Sequence, residues 1–164
     1  MSERRRAAER DAVMTRIGQA IMLLHAGDRE EARNRFGALW AEIGEEGDAL
    51  HRCTLAHYMA DAQDDPGDEL AWDLRALTAA EGLAAEESPA GERGAGHRDA
   101  LAVRAFYPTL HLNLAADYLK LRRPDAARVH LDRARAAAGG LTHDGYDGGV
   151  HAAIGRLEQR LLDE

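Results

Sequence analysis

One cysteine, Cys53, stands among 164 residues. No internal disulfide can form, and nothing points to an oxidising compartment. Aromatic residues are 5% of the chain, and valine and isoleucine are scarce. Strands draw on those residue types, so an all-β fold is excluded in practice. No apolar run approaches the roughly 20 residues that span a bilayer, and the N-terminus lacks the apolar stretch of a signal peptide. The expectation is a cytoplasmic protein with no membrane contact. Positive charge is also short, with a formal net charge of −8 and Lys120 as the single lysine. So acidic a chain repels phosphate backbones, and no nucleic-acid partner is expected. The one basic segment, with Arg4, Arg5, Arg6 and Arg10, reads as a solvated helix end.

What is present is alanine at 33 positions and leucine at 20. Both favour helices, so the composition predicts an all-α fold. The spacing predicts a helix over 3–25, where Val13, Ile17, Ala20 and Leu24 make one stripe. Gly27 ends it, and Asp28 with Glu31 reads as a capping box for a second helix carrying Ala32, Phe36, Leu39, Trp40 and Ile43. Asp48 caps a third helix, with Leu55, Met59 and Ala62 on one face. Asp65 caps a fourth and Pro66 opens it, with Leu70, Ala71, Leu74 and Leu77 apolar. Residues 84–98 read as a linker. A short helical piece from Asp99 to Phe106 leads to a fifth helix, which Pro108 kinks or starts. Pro124 opens a sixth helix, closed by Gly139 and Gly140. Asp144 is the expected cap of a seventh, with Tyr146, Val150, Ile154, Leu157 and Leu161 as its stripe.

The helices pair through tight turns, and the pairs repeat. Aligning Ala20, Ala56 and Ala115 brings a large residue three positions later each time, namely Leu23, Met59 and Tyr118. Ala32, Ala71 and Ala127 follow in the second helices, and then Phe36, Leu74 and Leu131. Small residues let antiparallel helices approach closely, and the large ones fill the groove. The pattern resembles the tetratricopeptide repeat, a helix–turn–helix unit of about 34 residues. The matching stretches are 11–43, 47–83 and 106–138, with three extra residues in the middle turn, a linker at 84–105 and a cap helix at 144–163. The tryptophan, glycine and proline typical of that repeat are missing. The resemblance implies one domain over 1–164, an α–α superhelix of three hairpins plus a capping helix.

It also implies that the first helix of each pair lines a concave groove. That places Met14, Ile17, Ile21, Leu24 and His25 in the groove from the first repeat. Cys53, Thr54, His57 and Asp61 come from the second. Thr109, Leu112, Asn113, Ala116 and Lys120 come from the third. The expected partner-binding residues are His25, Cys53, Thr54, His57, Asp61, Thr109, Asn113 and Lys120. The partner is another protein or a peptide, and self-association through an end of the array is a further reading. Carboxylate capture by Asn113 and Lys120 is not expected, because Ile21, His25, Asp61 and Ala116 stand where the clamp needs basic or amide groups.

No nucleophile motif, phosphate loop or paired-cysteine metal motif is present, so no catalysis, cofactor or metal is expected. Cys53, His57 and Asp61 share one helix face at i, i+4 and i+8. The ends of that trio lie about 12 Å apart, too far to grip one ion. A small-molecule or metal-binding protein using the groove around His57 is the alternative. His111 and His130 show no partner in the sequence, and Trp40 and Trp72 read as filler between repeats.

Overall fold

A computed structural model describes the backbone of residues 2–86, 95–139 and 146–163, and the side chains of residues 2–83, 101–139 and 149–163. Among the described residues the chain forms seven α-helices and no strand. They are α1 (Glu3–His25), α2 (Arg29–Ile43), α3 (Ala49–Asp61), α4 (Pro66–Glu86), α5 (Ala95–Lys120), α6 (Pro124–Ala138) and α7 (Tyr146–Leu162). None of them is long and apolar enough to cross a membrane. The all-α expectation holds.

Local chemistry sets the helix ends. Gly27 takes φ +92° after α1, in the left-handed region open to a residue without a Cβ. Its turn carries two backbone bonds, Gly27 N to Leu24 O at 3.1 Å and Asp28 N to Leu23 O at 2.9 Å. The turn between α5 and α6 repeats them, with Arg122 N to Leu119 O at 3.0 Å and Arg123 N to Tyr118 O at 2.8 Å. There the left-handed place is held by Arg122, at φ 59°. Asp48 caps α3, accepting from Leu50 N at 3.0 Å and His51 N at 3.1 Å. Asp65 accepts from Asp68 N at 3.0 Å to start α4. Asp28 makes no side-chain cap bond, contrary to the capping-box reading. Its φ of −87° and ψ of 68° keep the carboxylate off the first free N–H groups.

Two other expectations change. Residues 95–105, assigned to the linker at 84–105, belong to α5, and 84–86 belong to α4. The remainder, 87–94, lies outside the described residues, as do Gly140 and the expected cap Asp144. α5 also runs unbroken through Pro108, which is buried.

Consecutive helices pack together, and the backbones of α1 and α3, of α3 and α5, and of α5 and α7 also approach closely; among the described residues no other pair of helix backbones does. Each core therefore belongs to three consecutive helices. Ile17, Ala20, Phe36, Leu39, Leu55 and Met59 form the first, from α1 to α3. Cys53, Ala56, Ala76, Leu77, Val103, Leu110 and Leu114 form the second, from α3 to α5. Ala115, Leu119, Leu131, Ala134, Val150, Ile154 and Leu157 form the third, from α5 to α7. Trp40 of α2 meets Trp72 of α4 edge-on at 5.1 Å, bridging the first two cores. Arg29 and Arg33 of α2 donate to the carbonyls of Gln63 (2.9 Å) and Ala62 (3.3 Å) just past the end of α3. They also pair with Asp64, at 3.1 Å each.

The packing positions recur, but the middle register differs from the sequence alignment. Counting from the first residue of α2, α4 and α6, the fourth places hold Ala32, Glu69 and Ala127, and the eighth hold Phe36, Asp73 and Leu131. The eleventh hold Leu39, Ala76 and Ala134, all buried. Ala71 and Leu74, aligned with Ala32 and Phe36 in the sequence, sit off this face, and Leu74 is 38% exposed. The middle turn holds one extra residue, not three: ten positions separate Ala56 from Pro66, and nine separate Ala20 from Arg29.

Candidate functional site

The neighbouring helices α3 and α5 bring His57 and Asn113 together, 56 residues apart in the chain, with Asn113 Nδ2 3.2 Å from His57 Nδ1. An amide NH₂ only donates, so Nδ1 accepts and the ring proton of neutral His57 lies on Nε2. That nitrogen faces Asp61 Oδ2 at 4.0 Å, one helical turn on. Tyr58 and Phe106 meet the imidazole edge-on at 4.7 and 4.9 Å. Burial lowers the His57 pKa, and the Asp61 charge opposes that only in part. Burial also raises the Asp61 pKa.

Beside this pair lies a cleft of about 230 Å³ between α3 and α5. Leu50, Cys53, Thr54, His57, Val103 and Phe106 are among its walls. Cys53 is 1% exposed, and burial pushes its thiol up to about 12. It is a thiol at neutral pH and a poor metal ligand or nucleophile. Thr54 Oγ1 donates to Leu50 O at 2.8 Å, which ties it to its own helix.

Of the other expected residues, His25 and Lys120 lie near enough to Asp61 to act on its carboxylate. His25 is exposed at the end of α1. Thr109 is half-buried. Lys120 does not join Asn113; it donates to both carboxylate oxygens of Glu69, at 2.9 and 3.0 Å. Ile17, placed in the groove by the repeat pattern, is 1% exposed and lies in the first core.

Sequence reasoning missed an acidic cluster. Glu69 and Asp73 of α4 and Asp117 of α5 each offer an oxygen within 4.8 Å of the others. Asp73 and Asp117 are 3% and 1% exposed. Burial raises the pKa of both; Asp73 and Glu69 raise that of Asp117 further, whereas a hydrogen bond with Asp117 partly opposes the rise at Asp73. The signal was available in the recurrence itself. Once the middle turn is given one extra residue, Glu69 and Asp73 fall where alanine and a large apolar residue are due.

A second pairing was missed as well. His111 Nδ1 of α5 lies 3.1 Å from His130 Nδ1 of α6, a partnership the sequence did not show. The two rings stack at 5.4 Å between Tyr107 and Tyr118. Burial lowers both pKa values, that of His111 to about 4, with His130 and Arg133 adding to it.

Comparison of the chain with protein-family models, curated proteins and solved structures returned no match.

Proposed function

We propose that the protein is a cytoplasmic, non-catalytic interaction module. In this reading it is a short tetratricopeptide-like superhelix whose groove takes an extended peptide of a partner protein. The observation that carries it is the chain of contacts α1–α3–α5–α7, with the cleft lying between α3 and α5. Two features support it further. The turns at Gly27 and Arg122 share their hydrogen bonds, as copies of one helical hairpin would. His57 spends Nδ1 on Asn113, and Cys53 stays protonated, an arrangement suited to a recognition surface and not to proton transfer.

The occupant is a peptide with one large apolar side chain flanked by basic residues. The cleft walls are mostly apolar, while Asp61 on the same helix face and the net charge of −8 favour positive charge. Peptide display on the immobilised chain is expected to enrich such a motif. Ala102→Trp, at an exposed position on the cleft wall, is expected to weaken the selected peptide at least about tenfold, or about 1.4 kcal/mol. Failure to enrich any motif, or unchanged binding by the plugged variant, would contradict the reading.

A further inference from the structure

The acidic cluster occupies places that the two flanking hairpins fill with core residues. Ala32 and Phe36 in the first, and Ala127 and Leu131 in the third, correspond to Glu69 and Asp73 here. A carboxylate in a large apolar residue's place is costly unless something pairs with it. Asp117 is 1% exposed, and apart from the carboxyls of Asp73 and Glu69 neither of its carboxyl oxygens has a hydrogen-bond partner. Asp73 is 3% exposed, and its Oδ1 has none. Lys120 already neutralises Glu69. Burial and the neighbouring carboxyls push Asp117 up to about 11, and burial pushes Asp73 up to about 7, so the pair in the seam between α4 and α5 holds a proton at neutral pH when no cation is bound.

We propose that Glu69, Asp73 and Asp117 bind one divalent cation, with Ca²⁺ the best-fitting ion. Charge supports this, since a divalent ion that displaces the shared proton meets two buried carboxylates, which match its charge. Ligand chemistry supports it too, because an all-oxygen set suits hard cations, whereas zinc sites draw on imidazole and thiolate. Coordination geometry selects among hard ions. Ca²⁺ bonds of 2.3–2.6 Å place opposite ligands about 4.6–5.2 Å apart, and Mg²⁺ bonds of 2.0–2.1 Å place them about 4.0–4.2 Å apart. The three oxygens lie within 4.8 Å of one another, a limit that admits either ion, and Ca²⁺ is favoured because it accepts irregular all-protein oxygen sets where Mg²⁺ demands near-ideal octahedral geometry and keeps its waters. The Glu69 side chain is 20% exposed, so water reaches that side and can complete the coordination. The proposal is independent of the peptide-binding reading. Its rival is a single proton held between Asp73 and Asp117.

Calorimetric titration of the full chain, stripped with EDTA and held at pH 7.5, separates the two. One Ca²⁺ per chain is expected, with a dissociation constant of about 10⁻⁴ M or tighter, and Mg²⁺ at least about tenfold weaker. At a hundredfold excess over that constant, Ca²⁺ is expected to raise Tm by about 5 °C. Asp73→Asn and Asp117→Asn should each lower Ca²⁺ affinity at least about tenfold. Asp125→Asn, at an exposed carboxylate on α6, should leave it unchanged. Glu69→Gln, at the half-buried member, should also weaken binding and covers the case in which a buried variant does not fold. No Ca²⁺ uptake at millimolar concentration, or uptake unchanged in both Asp117→Asn and Glu69→Gln, would overturn the site and leave the pair holding a proton.

Discussion

A single proton governs the His111–His130 pair. With Nδ1 facing Nδ1 at 3.1 Å, one ring donates and the other accepts, and two charged rings cannot share the space. Arg133 disfavours a charge on either ring, and Tyr107 and Tyr118 cover them with uncharged faces. The unfolded chain takes up protons near pH 6.5, while folded His111 resists until about 4. Stability is therefore whole above pH 6.5 and falls as pH drops toward 4, by an amount on the order of 2 kcal/mol. Urea unfolding at pH 7 and pH 4.5 is expected to show a smaller difference in His111→Phe than in wild type. An equal difference would place the acid sensitivity elsewhere. Arg122 holds the other residue-scale tension, a left-handed backbone with a Cβ. Arg122→Gly is expected to stabilise the fold by about 1 kcal/mol, read as a rise in the urea midpoint with the slope unchanged.

At the scale of elements, helix ends were legible because each depends on one or two residues. Gly27, Asp48, Pro66 and Pro124 mark boundaries that the structure keeps. Asp28 was misread, since capping requires a backbone angle that composition does not report. Thermal unfolding distinguishes the two aspartates. Asp48→Ala is expected to cost about 1 kcal/mol, and Asp28→Ala less than about 0.5. Pro108 does not start its helix, for a different reason. Its cost of about 3 kcal/mol in a helix interior is local, whereas the packing of Val103, Leu110 and Leu114 on either side of it is tertiary. The acidic cluster stayed hidden because it depends on the register of a whole helix. The alignment matched Ala71 and Leu74 to their apolar counterparts, and the fold puts Glu69 and Asp73 there. Likewise His57 and Asn113 were both singled out from the repeat pattern, but their meeting needs α3 against α5. The His111–His130 contact needs α5 against α6.

Across the whole molecule, stability is divided among three cores, each shared by three consecutive helices. α1 and α7 do not touch, so a defect at one end reaches the other only through the middle hairpin. Arrays built on nearest-neighbour contacts open locally, from their ends inward. The groove reading depends on the same arrangement, because the cleft at His57 exists only where neighbouring first helices lie side by side. Phe36 is fully buried in the first core, and Phe36→Ala is expected to cost about 3–5 kcal/mol. Amide hydrogen exchange of that variant is the most direct measurement. The expected result is faster exchange in α1 and α2, a smaller effect in α3, and wild-type protection in α6 and α7. Equal acceleration in all seven helices would show one shared core and contradict the account.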